Sequence, residues 1–286
     1  MEKTFEFKTR DLEIKFGLRM EIEVLPTDKK DAFVEFKSDA SDSDLLIEHN
    51  DHRLYITTPD HDFDEDLAEE VRGIHSIGDA FALLIKKGLQ QKSNKFSGQA
   101  KIYLPADHLA LYLSANNAKV AIDAPMQDLE LKLNNGSVSV KSALKNLKAK
   151  LNSGDLFVYT PLDTCQIKAN NATLEIGAKV RDLEIKTNNG NVQLNAPKES
   201  LETCQIKANN TRLDLQTLIE DLDLSLNNGG VKLYAHDHVK SWNVQANGAN
   251  ITLKKNGVSV SLEGSGGLIG EGKVHLDTSG FVNVVD

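Results

Sequence analysis

Aromatic side chains are scarce in this chain, at 6%, with a single tryptophan, and only two cysteines occur among its 286 residues. Two thiols make no disulfide-stapled scaffold, and a chain of this length can bury a core without crosslinks. Long apolar runs are also missing. No stretch of 18 or more apolar residues occurs, which leaves no candidate for a membrane-crossing helix. The opening segment, MEKTFEFKTRDLEIKF, alternates polar and apolar residues and carries no apolar signal core, so a cytoplasmic location stands as an alternative to a surface one. Basic excess is absent as well: 33 Lys and Arg against 42 Asp and Glu give a formal net charge of −9. A general nucleic-acid binder depends on Lys and Arg meeting phosphates, so nucleic acid is not an expected partner of the chain as a whole. The acid surplus is local. Residues 1–100 hold 22 acidic and 14 basic groups, net −8, whereas the remainder holds 20 and 19.

What the chain has in quantity is asparagine: 23 residues, 21 of them at or after Asn116. They belong to a repeat. Its copies read LYLSANNAKVAI, LELKLNNGSVSV, LKAKLNSGDLFV, CQIKANNATLEI, LEIKTNNGNVQL, CQIKANNTRLDL, LDLSLNNGGVKL and WNVQANGANITL. The first asparagines are Asn116, Asn134, Asn152, Asn170, Asn188, Asn209, Asn227 and Asn247, at steps of 18, 18, 18, 18, 21, 18 and 20 residues. Each copy holds two short stretches of period-two alternation, the mark of a strand with one buried face. Asn and Gly between them tolerate positive φ and suit a tight corner. A second, polar or Pro-containing corner follows, as in APMQD, TPLDT and APKES. An antiparallel hairpin meander is the rival reading, because Asn-Gly between alternating strands is a hairpin signal. The constant period and the constant apolar phase favour coils that stack side chain on identical side chain. The expected fold is therefore all-β: a parallel β-solenoid (β-helix) of about 18-residue coils, right-handed by the crossover rule, with asparagine amide ladders along the corner.

One continuous domain is expected, in three stretches. Residues 1–61 form an irregular β segment that starts the stack. Residues 62–97 form a helical insertion: Leu67, Val71, Ile74, Phe81, Ile85 and Leu89 make an i, i+3/i+4 stripe, with acids at one end and Lys86 and Lys87 at the other. A helix over 62–90 would cap an open solenoid end or take part in self-association. Residues 98–286 form the regular solenoid with a glycine-rich C-terminal coil. Cys165 and Cys204 fall in a column that other copies fill with leucine, two layers apart, which is too far for a disulfide. Trp242 occupies the same column.

Few residues suggest chemistry. The run Asp60-His-Asp-Phe-Asp-Glu-Asp begins like a calcium loop but lacks the glycine and the closing glutamate. His236 with His238, and His49 with His52, have no third ligand at a recognisable spacing, so no metal and no cofactor are expected. No nucleophile motif occurs, and no catalytic residue is assigned. One column does stand out. Lys132, Lys150, Lys168, Lys186 and Lys207 each lie two residues before the first asparagine and point outward by alternation. Stacking would place five amines roughly 4.8 Å apart, with Glu130, Glu184 and Asp223 beside them as partial relief. Such a ladder suits an anionic polymer, for example a wall glycan or teichoic acid.

The segments HRLYIT, then KIYLP, then the repeated L-x-L/I-x-x-NNG-x-V-x-L resemble the putative-adhesin family of bacterial β-solenoid domains, a family of unknown function. The resemblance covers nearly the whole chain apart from 62–90. It implies a β-helical fold and a cell-surface or envelope-stress context, and it transfers no catalytic residues. The expected function is a non-catalytic binding or scaffold module of the bacterial envelope, with a cell-wall polymer or protein partner. The alternatives are an intracellular protein that self-assembles through its solenoid ends, and a carbohydrate-active enzyme.

Overall fold

Period-two alternation calls for hydrogen-bonded neighbouring strands and a covered apolar face. The computed structural model, which describes residues 1–58, 96–196 and 200–286, supplies both with one continuous sheet wound into coils. Six strands form the N-terminal end: β1 (Glu2–Phe7), β2 (Asp11–Thr27), β3 (Ala32–Ser38), β4 (Leu46–Asn50), β5 (Arg53–Thr57) and β6 (Ser97–Pro105). Eight coil strands follow: β7 (Ala110–Ile122), β8 (Asp128–Val140), β9 (Asn146–Val158), β10 (Leu162–Ile176), β11 (Val180–Leu194), β12 (Ser200–Leu215), β13 (Leu218–Tyr234) and β14 (Ser241–Lys254). The last four are β15 (Val260–Glu263), β16 (Gly266–Ile269), β17 (Gly272–Thr278) and β18 (Val282–Val285).

Strands β7 to β14 pair in parallel, each with the next, which settles the solenoid against the meander. Equivalent residues face one another, so the core consists of columns. One runs Leu111, Leu129, Leu147, Cys165, Leu183, Cys204, Leu222, Trp242. All eight are buried. At about 1.5–3 kcal/mol for each large apolar side chain removed from water, such columns carry the fold. Leu183 separates the two cysteines, which are free and buried. Trp242 fits the column because its indole Nε1 donates to the Ile219 carbonyl at 2.9 Å.

The corner differs from the expected break between two strands. Each coil is one bent strand, because the asparagine corner stays hydrogen-bonded to the coils on either side, as Asn135 pairs with Asn117 and Ser153. Glycine makes this possible. Gly136 and Gly154 have φ of 138° and 129°, and a Cβ on either would lie 1.8 Å from a carbonyl oxygen of the preceding coil.

At the N-terminal end the layer order departs from chain order. β2 is a whole coil held between β7 on one side and β5 plus β6 on the other, all in parallel. β5 therefore ends, and β6 begins, at the corner column that asparagines occupy in later coils. The helix expected over 62–90, and the acidic run starting at Asp60, lie outside the described residues. Among the described residues, antiparallel strands cover the outer edges here: β4 on β5, β3 on β6, and β1 on β3. Phe7, Phe16 and Phe36 are fully buried at this end. At the other end β17 and β18 stack on the two halves of β14, and the β15–β16 hairpin folds against β17.

Candidate functional site

The first half of each coil turns three alternate, mostly apolar residues inward, such as Leu129, Leu131 and Leu133, and leaves the intervening residues on an outer face. On that face Lys132, Lys150, Lys168, Lys186 and Lys207 stand in register in five successive coils. Strand spacing of about 4.8 Å sets the rise from one lysine to the next. Structure extends the column beyond the five. Ser114 and then Lys15 continue it towards the N-terminal end, and Ser225 and Gln245 towards the other. Lys15 is a different kind of lysine. It is buried, its Nζ lies 2.9 Å from Glu13, and its ammonium sits 4.5 Å from the centre of the Tyr55 ring.

The neighbouring outer column runs Glu13, Tyr112, Glu130, Lys148, Gln166, Glu184, Gln205, Asp223. Its acids relieve the ladder unevenly. Glu184 pairs with Lys186 at 2.5 Å, and that hydrogen bond, with the nearby Lys168 and Lys207, holds its carboxyl below the usual range. Glu130 instead pairs with Lys148 at 3.0 Å, a further lysine on this face beside the ladder. Asp223 accepts a hydrogen bond from Asn243 Nδ2 at 3.2 Å. The middle of the ladder is thus locally over-charged. Burial pushes the Lys150 amine below its ordinary pKa, with Lys148, Lys132 and Lys168 adding repulsion and Glu130 opposing it.

The corner asparagines form amide chains. Asn152 Nδ2 donates to Asn134 Oδ1 at 2.9 Å, Asn170 to Asn152 at 3.1 Å, Asn188 to Asn170 at 3.4 Å and Asn209 to Asn188 at 3.0 Å. A second chain joins Asn135 to Asn117, and Asn210 to Asn189 to Asn171. Asn227 and Asn247 keep the register but are exposed. Asn116 lies half-buried at the first corner of the series. With both polar ends of many amides engaged within the stack, this column is built for cohesion.

The histidines are used structurally. His49 packs against the Phe5 and Phe7 rings, and His52 Nδ1 lies 2.8 Å from Thr9 Oγ1. His236 is buried, and its Nε2 accepts the Ile219 backbone N–H at 2.7 Å. Among the described residues no three His, Cys, Asp or Glu side chains are placed to hold a metal ion. No helix among them is long and apolar enough to cross a membrane. Burial pushes both cysteine thiols up to about 12, so neither is a ready nucleophile.

Two features of the face escape a repeat-based reading. Lys15 has no asparagine two positions on, since its coil turns at Gly17 and Leu18. Lys148 is marked only by alternation, two residues before Lys150.

Among proteins of curated function none matches the chain. Solved structures do. A structure from Parabacteroides merdae described as a putative adhesin aligns over 100% of this chain and 96% of its own, at 12% identity and a TM-score of 0.53. One from Parabacteroides distasonis described as a putative lipid binding protein aligns over 100% and 97%, at 16% identity and a TM-score of 0.51. At such identities the likeness is one of fold. The Toastrack DUF4097 family matches residues 9–279, nearly the whole length, and the chain belongs to that family of β-solenoid proteins.

Proposed function

We propose that this solenoid is a non-catalytic binding module of the bacterial envelope whose lysine face holds an extended anionic polymer. One observation carries the reading: five lysines stand in register on five successive coils, with a sixth, Lys148, beside them. Like charges that close disfavour the free protein, and a run of phosphates or carboxylates would offset the repulsion along the whole ladder. The family and the two structural likenesses, one of them described as a putative adhesin, agree with a binding role. Replacing all five ladder lysines with Gln and titrating polyphosphate and polygalacturonate by calorimetry tests the proposal. Salt-sensitive binding by the native chain that collapses in the variant supports it. Equal binding by both proteins refutes it.

A second reading, self-assembly through a solenoid end, has one observation in its favour. Among the described residues β18 pairs only with β14, and Phe281 beside it is 62% exposed. Light scattering over a concentration series separates the two, since a constant monomer mass removes the assembly reading.

A further inference from the structure

The lysine face ends, on its N-terminal side, in an open cleft of about 840 Å³. Its lining holds one departure from the repeat. The outermost column of this face carries Asp128, Asn146, Thr164 and Asp182 in successive coils, but Ala110 in the coil before them. The short side chain leaves a notch between Asp11 and Asp128, its neighbours in the column. Tyr112, whose ring centre lies 5.6 Å from the Lys15 ammonium, lines the cleft together with the turn between β4 and β5.

Glu13 and the β4–β5 turn are held in place. Glu13 accepts from Arg53 Nε at 2.8 Å and pairs with Lys15 at 2.9 Å, so its carboxylate is fixed. The turn is pinned from both sides: the His52 backbone N–H donates to Asn50 Oδ1 at 2.9 Å, and the Glu13 backbone N–H donates to the His52 carbonyl at 2.9 Å. Asp11, Glu13 and Asp51 outnumber Arg53, so the cleft disfavours an anion, in contrast to the ladder beside it.

An aromatic ring, a short side chain in a polar column, and three carboxylate acceptors, of which Glu13 is fixed, match an amphipathic, uncharged ring with hydroxyls on its edge. A sugar ring presents C–H groups on its face and O–H donors around its rim. We propose that the cleft around Tyr112 and Ala110 is a subsite for a neutral sugar ring, with the Tyr112 ring against the sugar face and Glu13, Asp11 and Asp51 accepting from its hydroxyls. This site is separate from the lysine ladder and does not depend on it.

Saturation-transfer NMR on the full chain, with the methyl glycosides of glucose, galactose, mannose and N-acetylglucosamine as probes, tests the proposal. At least one glycoside should receive transfer through its ring protons. Tyr112→Phe should retain the signal. Tyr112→Ala and Ala110→Asn, the latter filling the notch with a residue this column already carries, should weaken it at least tenfold. Circular-dichroism melts confirm that each variant is folded, and Ala110→Asn keeps the test decisive should Tyr112→Ala be unstable. The five-lysine Gln variant should bind the glycoside as the native chain does. No transfer to any of the four glycosides, or transfer that survives both Tyr112→Ala and Ala110→Asn, overturns the proposal. So does a calcium titration that shifts the same residues while the sugars do not, since the cleft would then be a cation site.

Discussion

Replacing Lys150 with Gln should make the protein more stable while weakening its hold on a polyanion. Lys132 and Lys168 flank Lys150 in register. Two unit charges about 4.8 Å apart in water repel by about 0.9 kcal/mol, so two neighbours could impose about 1.7 kcal/mol. Flexible stems let the ammonium groups splay, and Glu130 attracts Lys150 from the next column. A net gain of about 0.5–1 kcal/mol at low ionic strength remains, near the upper range for exposed charge pairs. With a urea m-value of about 2 kcal/mol per molar, the midpoint should rise by roughly 0.3–0.5 M. The gain should fade in about 1 M salt, where the Debye length shrinks to about 3 Å. It should also fade at high pH. The folded amine has a pKa below its ordinary 10.5, so the penalty is full below the folded value and disappears as pH rises towards 10.5. Paired urea titrations at two salt concentrations read the effect directly. Destabilisation by Lys150→Gln, or a gain indifferent to salt, would refute the idea of a self-repelling ladder.

Other parts of the structure make independent predictions. Gly154→Ala should cost at least about 1–3 kcal/mol through its left-handed φ of 129° alone, with a backbone clash added, and chemical denaturation should show a lowered midpoint. Cys165 and Cys204, with thiols pushed up to about 12, should resist a thiol-reactive dye at pH 8 until urea unfolds the chain; fast labelling of the native protein would contradict their burial. Burial lowers the pKa of His236, so the native state binds fewer protons than the unfolded chain just below pH 6.5. The stability it supports is complete above pH 6.5 and declines as pH falls towards the folded value, and His236→Phe should flatten that part of a stability–pH curve. His108, lowered by burial in the same way, supplies the residual slope.

The regular coils were readable because three of their columns largely repeat one residue type at one phase: leucine inward, lysine outward, asparagine at the corner. The register of Leu129 with Leu147 and of Lys132 with Lys150 follows from the 18-residue step itself. The N-terminal end was not readable to the same degree. There β2 lies between strands distant in sequence, and no repeat announces that Arg19 will face both Ser97 and Asn117. The corner was half legible. Asn and Gly signal a turn, but that the ladder continues through it depends on Gly136 meeting the Ala118 carbonyl across coils. On the lysine face, alternation and spacing place the five amines, whereas the cleft beside Tyr112 draws its lining from β2, β5, β7 and the β4–β5 turn and departs from the repeat at Ala110, a small residue in a polar column. Repetition advertises what is common to the coils and hides the single departures from them.

Amine footprinting tests the central claim most directly. The native chain would be acetylated briefly with and without polyphosphate, and each lysine's reactivity read by mass spectrometry. Lys132, Lys150, Lys168, Lys186 and Lys207 should become protected together, while Lys119 and Lys179, off that face, keep their reactivity. Uniform protection of all lysines, or none on the ladder, would contradict a polyanion-binding face.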